Sequence, residues 1–185
     1  QLVRAAVDAP LGATLGAPRF AYVAPYYRQA KAIVWDYLRH YGRRIEGARF
    51  HETELRCDLP NGARISLYGA DDPDSLRGLY LDGGVLDEFA QMDPRAWSEV
   101  IRPALADRRG WALIMGTPMG RNALWRLYER AKTAPDWQAA LYRASETGAL
   151  PPEELAAARA AMSEEEYAQE LECSFDAAIR GAYYG

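Results

Sequence analysis

The apolar positions fall into blocks whose spacing changes along the chain. Arg19 to Ala24 (RFAYVA) is a short apolar run closed by Pro25, the pattern of a buried strand. From Tyr26 to Tyr41 the apolar residues Ala30, Ile33, Val34, Tyr37, Leu38 and Tyr41 recur every three or four positions. That spacing predicts a helix with these residues inward, stopped by Gly42. Glu52 to Leu59 and Ala63 to Gly69 are β-like runs flanking Pro60-Asn61-Gly62, which predicts a hairpin. Leu79 to Phe89 holds a short strand centred on Gly83-Gly84-Val85-Leu86. Asp93-Pro94 then caps a helix to about Leu105, with Trp97, Val100 and Ile101 inward. Trp111 to Met115 (WALIM) is uninterrupted apolar sequence, as expected of a central parallel strand covered on both faces.

The rest of the chain follows the same logic. Leu124 to Lys132 reads as a helix and Asp136 to Arg143 as a further strand. Pro151 to Met162 and Ser163 to about Cys173 read as two helices, the second opened by the capping box Ser163-x-x-Glu166. At the start, Gln1 to Val7 reads as the end of a helix entered midway, broken over Asp8 to Gly12. Phe175 to Gly185 reads as irregular and cut off. Strands alternating with amphipathic helices define an α/β fold with a mainly parallel sheet, a β-hairpin insertion and a closing helix pair. The expected division is a core over residues 1–145 and a helical segment over 146–185.

Composition narrows this picture only a little. The chain has 185 residues, 49% hydrophobic and 26% charged, which is enough to bury a sizeable core. Net charge is −4, so no global basic field points to nucleic acid. The distribution is uneven, however. The first third is basic, with Arg28, Lys31, Arg39, Arg43, Arg44 and Arg49, whereas the tail carries Glu153, Glu154, Glu164, Glu165 and Glu166. The first third is therefore the better candidate for a DNA contact. Cys57 and Cys173 lie in no metal-ligand spacing and read as reduced structural thiols of a cytoplasmic protein. No apolar run approaches the length of a membrane span.

The candidate chemistry sits where the strand Gly83–Leu86 runs into Asp87-Glu88. Adjacent strand residues face opposite ways, so one carboxylate can serve a hydrated Mg²⁺ while its neighbour reaches an attacking water. A plain acidic turn would look the same. Asp71, Asp72 and Asp74 could join Asp87 in a metal cluster, but capping by Asp71 or Asp72 with Pro73 in the first turn explains them more simply. In parallel sheets ligands bind at the carboxyl ends of strands. Three strands end in small or polar residues, at Ala24-Pro25, Asp87-Glu88 and Gly116-Thr117-Pro118. If the three are neighbours, their ends converge.

Arg19 to Ala30 (RFAYVAPYYRQA), Leu76 to Phe89 (LRGLYLDGGVLDEF) and Gly116 to Asn122 (GTPMGRN) together resemble the ATPase domain of the tailed-phage terminase large subunit, the viral DNA-packaging motor. The resemblance implies a P-loop NTPase fold of the RecA-like (ASCE) type, with the last helices as a small lid or linker. It implies Mg-ATP as cofactor and an acidic pair acting as the Walker B motif. Asp87 would hold Mg²⁺ through water and Glu88 would polarise the attacking water. Gly116 and Thr117 would belong to the coupling motif that senses hydrolysis. Arg77 would be an arginine finger acting on a neighbouring subunit, although a loop-anchoring salt bridge also suits it. The implied partners are double-stranded DNA, a homo-oligomeric ring, the portal protein and the small terminase subunit, with no membrane, in the host cytoplasm during assembly.

One departure from that family stands out. No G-x-x-x-x-G-K-[ST] occurs, and neither Lys31 nor Lys132 follows a glycine. The nest that cradles the β- and γ-phosphates is missing, as is the family's nuclease domain, so the expectation is a fragment that binds ATP poorly and does not hydrolyse it. Two other readings stay open: a helicase-like ATPase of the same class, and a non-enzymatic degenerate module that binds a partner. A metal nuclease built on the aspartates is a fourth.

Overall fold

The computed structural model describes residues 1–9 and 16–177. The breaker expected over Asp8–Gly12 therefore lies partly outside the described residues, as does most of the irregular tail. The chain forms two compact units, Gln1–Met115 and Gly116–Gly185.

The first unit is built on one six-stranded sheet. Its strands are β1 (Arg19–Ala24), β2 (Arg49–His51), β3 (Arg56–Asp58), β4 (Arg64–Gly69), β5 (Gly83–Leu86) and β6 (Trp111–Ile114), in the order β2-β3-β4-β1-β5-β6. The four strands from β4 to β6 run parallel, and β2 and β3 extend the sheet antiparallel beyond β4. The expected α/β fold and its hairpin insertion are both present. The hairpin is richer than the sequence indicated: residues 52–55 turn, and Arg49–His51 before them pairs back on β3.

Tyr22 sits opposite Leu67 on one side and Val85 on the other. Phe20, Tyr22, Ala24, Ile65, Leu67 and Val85 thus share a face, and they form one core cluster with Ala6, Ala30, Trp35, Leu38 and Cys57 from the flanking elements. Ala21, Val23 and Leu86 point to the opposite face and are equally buried. Continuous apolar sequence in β1 follows from this, because both faces of a parallel sheet are covered. Each fully buried aliphatic side chain contributes about 1.5–3 kcal/mol, so the middle of the sheet is the most strongly held part of this unit.

Two expectations about this unit are corrected. Residues 27–42 are helical without a break, but Lys31–Trp35 has π geometry between the α-helical turns Tyr27–Ala30 and Asp36–Gly42. The wider turn shifts the phase of the helix. Ala30, Trp35, Leu38 and Gly42 face the core, while Ile33, Tyr37 (64% exposed) and Tyr41 form an outward stripe. The other correction concerns β6. It is an edge strand among the described residues, not a central one, and Ala112 and Leu113 are exposed. Helix Leu2–Asp8 places Ala6 in the core and contacts β1, β4 and β5.

The second unit carries helices Ala123–Ala131, Ala144–Thr147, Pro152–Ala161 and Glu164–Glu170. Asn122 caps the first through Leu124 N–H at 3.0 Å, and the Ser163–Glu166 capping box opens the last as expected. The strand expected over Asp136–Arg143 does not form. Its residues are irregular and mostly exposed, and the Trp137 ring lies under the Arg130 guanidinium at 5.6 Å. Apolar composition without a ladder partner gave a strand-like sequence but no strand.

Candidate active site

The site is organised around the end of β5. Gly83 is required at the start of that strand because a Cβ there would lie 2.4 Å from the Trp111 ring of β6. Beyond Leu86 the backbone remains pinned on both sides. The Asp87 N–H donates to the Val23 carbonyl of β1 at 2.9 Å, and the Phe89 N–H donates to the Met115 carbonyl at 3.0 Å, just past β6. Glu88, held between these two anchors, adopts a left-handed backbone with φ 51° and ψ 39°. A residue with a Cβ spends about 1–2 kcal/mol in that conformation. Such outliers persist where surrounding structure over-determines them, and they cluster at functional sites.

Both carboxylate oxygens of Asp87 are engaged. Oδ1 accepts the Glu88 N–H at 3.0 Å, and Oδ2 accepts a short hydrogen bond from the Tyr22 hydroxyl. Burial, followed by that hydrogen bond and by the charges of Asp87 and Glu88, pushes the Tyr22 phenol well above its ordinary value. Tyr22 therefore stays protonated and remains a donor. Glu88 is half-buried, and its Oε2 accepts from Gln91 Nε2 at 3.3 Å. Neither Tyr22 nor Gln91 was identified from sequence. A signal existed for each: a buried tyrosine needs a partner for its hydroxyl, and Gln91 stands three residues after Glu88 at the start of a turn.

This donor set fits Mg²⁺. Magnesium takes hard oxygen ligands, keeps several waters and is held by one or two carboxylates together with substrate phosphates. Asp87 offers one oriented carboxylate with lone pairs to spare. No group of three or more His, Cys, Asp or Glu side chains with metal-binding geometry occurs among the described residues. The aspartate cluster considered for a nuclease is accounted for otherwise. Asp72 accepts from Asp74 N–H at 3.2 Å as the cap of the turn Pro73–Leu76, and Asp74 pairs with Arg77.

The remaining sequence candidates fall in separate places. β1, β5 and β6 are consecutive neighbours, so the carboxyl ends of these three strands do lie side by side. Arg77 ends the turn Pro73–Leu76 on the surface, where its Nε meets Asp74 at 2.6 Å and its Nη2 meets Glu99 at 3.1 Å. The hydrogen bond and charge of Asp74, then those of Glu99, raise its pKa further. Gly116 and Thr117 open the second unit. Gly116 has φ 152°, which side-chain-bearing residues rarely adopt, and Thr117 is half-buried ahead of buried Pro118.

The acidic pair thus lies at the carboxyl end of an inner strand of a mainly parallel sheet, where ligands bind in open α/β folds. Solved structures agree on the fold. The ATPase domain of the Thermus phage P74-26 large terminase superposes with a TM-score of 0.77 at 26% identity, over 89% of this chain and 79% of that one. The large terminase of a second thermophilic bacteriophage, solved in complex with ADP, gives 0.68 at 14% identity, over 88% and 42%. The chain belongs to the family of T4-like-virus-type terminase large subunits, N-terminal region, whose profile matches residues 5–184. It is 49% identical over 125 residues to the terminase large subunit of Thermus virus P23-45, covering 57% of this chain and 26% of that protein. Against the terminase large subunit of Thermus phage G20c it is 49% identical over 83 residues, covering 42% and 17%. The matched regions thus span about a quarter or less of these curated relatives.

Proposed function

We propose that this chain is part of a viral DNA-packaging motor, in which ATP hydrolysis drives double-stranded DNA into a procapsid. The observation that carries the reading is the end of β5. Asp87 is clamped from two directions there, and Glu88 is held in a left-handed backbone between anchors on β1 and β6. Asp87 would hold Mg²⁺ through water. When bound, that ion neutralises charge on the phosphate oxygens. Glu88 orients and polarises the water for in-line attack on the γ-phosphate. Gly116 and Thr117 couple the outcome to movement. Residues 1–145 act as the partial ATPase core and 146–185 as its lid or linker.

Arg77 serves a neighbouring subunit of a homo-oligomeric ring. Its exposed position suits this, because ion pairs at the surface are weak and readily exchanged. The guanidinium stabilises charge on the transferred phosphoryl. DNA meets the outward side of residues 27–44, where Arg28, Lys31, Tyr37, Tyr41, Arg43 and Arg44 are exposed. The portal protein and small terminase subunit are the expected partners, in the host cytoplasm. No described helix is long and apolar enough to cross a membrane.

The 185-residue chain by itself hydrolyses no detectable ATP, because it contains no phosphate-loop sequence. The test is complementation in the intact protein. Glu88→Gln and Arg77→Ala subunits are each expected to be inactive alone, and mixing them restores part of the DNA-stimulated ATP turnover. Absence of recovery on mixing, with both variants folded, removes the role in trans for Arg77; full activity of Glu88→Gln removes the hydrolase reading itself.

A further inference from the structure

We infer that Tyr22 is the positioning residue for Asp87: its hydroxyl fixes the plane of the metal-facing carboxylate from the neighbouring strand. The inference rests on the reading of Asp87 as the Mg²⁺-holding group. Tyr22 lies opposite Val85 in the β1–β5 register, on the face to which Asp87, two residues further along, also points. Its ring is part of the core cluster and is 5% exposed, so the hydroxyl has little freedom to move. It donates to Oδ2 of Asp87 while the Glu88 N–H donates to Oδ1 at 3.0 Å. Two donors on different oxygens, both attached to the sheet, leave the carboxylate one orientation. Each oxygen keeps a lone pair for the water shell of a cation.

A side chain held at only one oxygen would rotate about χ2, and the cation would have to select the productive rotamer. Hydrogen bonds from behind a metal ligand supply this orientation, and their loss typically lowers metal affinity about 10–100-fold. Tyr22→Phe keeps the ring in the core and removes only the donor.

The experiment uses the intact protein with Mn²⁺ and ATP-γ-S, reading bound Mn²⁺ by electron paramagnetic resonance, alongside the Mg²⁺ dependence of ATP turnover. Tyr22→Phe is expected to weaken Mn²⁺ binding about tenfold and to raise half-saturating Mg²⁺ equally, with kcat recovered at high Mg²⁺. The KM for ATP measured at saturating Mg²⁺ stays near wild type. Unchanged or tighter Mn²⁺ binding by a folded Tyr22→Phe protein overturns the inference. Glu88→Gln in the same series separates the two ideas: it must abolish turnover while keeping Mn²⁺ affinity. Retained turnover in Glu88→Gln defeats the hydrolase reading and not the Tyr22 contact. Independently of any variant, the hydroxyl proton of Tyr22 gives a downfield, slowly exchanging proton resonance if the bond to Asp87 exists in solution; its absence also overturns the inference.

Discussion

Replacing Glu88 by glycine and by alanine isolates the backbone strain at the end of β5. Both variants lose the Glu88 carboxylate and its contact with Gln91 at 3.3 Å. Both keep the backbone hydrogen bonds, since the residue 88 N–H still reaches Asp87 Oδ1 and the Gln91 N–H still reaches the residue 88 carbonyl at 2.9 Å. Only alanine keeps the steric conflict of a Cβ at φ 51°. That conflict costs about 1–2 kcal/mol. Glycine loses more conformational freedom on folding, a penalty of about 0.5–1 kcal/mol. Taking the middle of each range, Glu88→Gly should therefore be more stable than Glu88→Ala by about 0.75 kcal/mol, or about 1.5–3 °C in Tm for a protein of this size. Urea titration of the purified proteins, with equal m-values, reads the difference. An alanine variant as stable as the glycine variant, or more so, would refute the strained geometry.

Three further outcomes follow from the same structure. Gly83→Ala forces a Cβ against the Trp111 ring and should destabilise the protein by about 1–3 kcal/mol, measured in the same titration. Burial works against the charge of Asp58, but the hydrogen bond and charge of Arg64 and the charges of Arg56 and His51 outweigh it, so its pKa is lowered. Its contribution to stability is complete above the ordinary value of 3.8 and is lost as pH falls below that through the depressed folded value. Asp58→Asn should remove this part of the acid limb, which acid unfolding curves will show. Burial first, and then the charge of Asp58, pushes the Cys57 thiol up to about 11. Cys57 should resist thiol reagents at pH 8 in the folded protein while partly exposed Cys173 reacts, as mass spectrometry of labelled peptides can show.

Where one local rule acted alone, the sequence was enough. β1 spans Arg19–Ala24, the apolar run that Pro25 closes, and Ser163 caps its helix through a motif four residues long. Failures came where a change of helix geometry or the choice of strand partner decided the outcome. Ile33, Tyr37 and Tyr41 have helical spacing, yet the π turn over Lys31–Trp35 rotates them outward, and nothing in their spacing encodes that turn. Trp111–Ile114 has the composition of a strand covered on both faces but occupies an edge. Asp136–Arg143 is apolar without a neighbour to pair with. The acidic pair could be found because it lies within one segment. Its Tyr22 contact could not, since 65 residues separate the two and only the β1–β5 register brings them together.

The assignment of Glu88 as the group that polarises water is the central point. It is tested most directly by single-turnover hydrolysis of ATP in the intact protein, wild type against Glu88→Gln, with nucleotide binding measured in parallel. Removing a group that acts only in the transition state should slow the chemical step by about 10²–10⁴-fold and leave ATP affinity near wild type. A Glu88→Gln protein that hydrolyses bound ATP at the wild-type rate would contradict it.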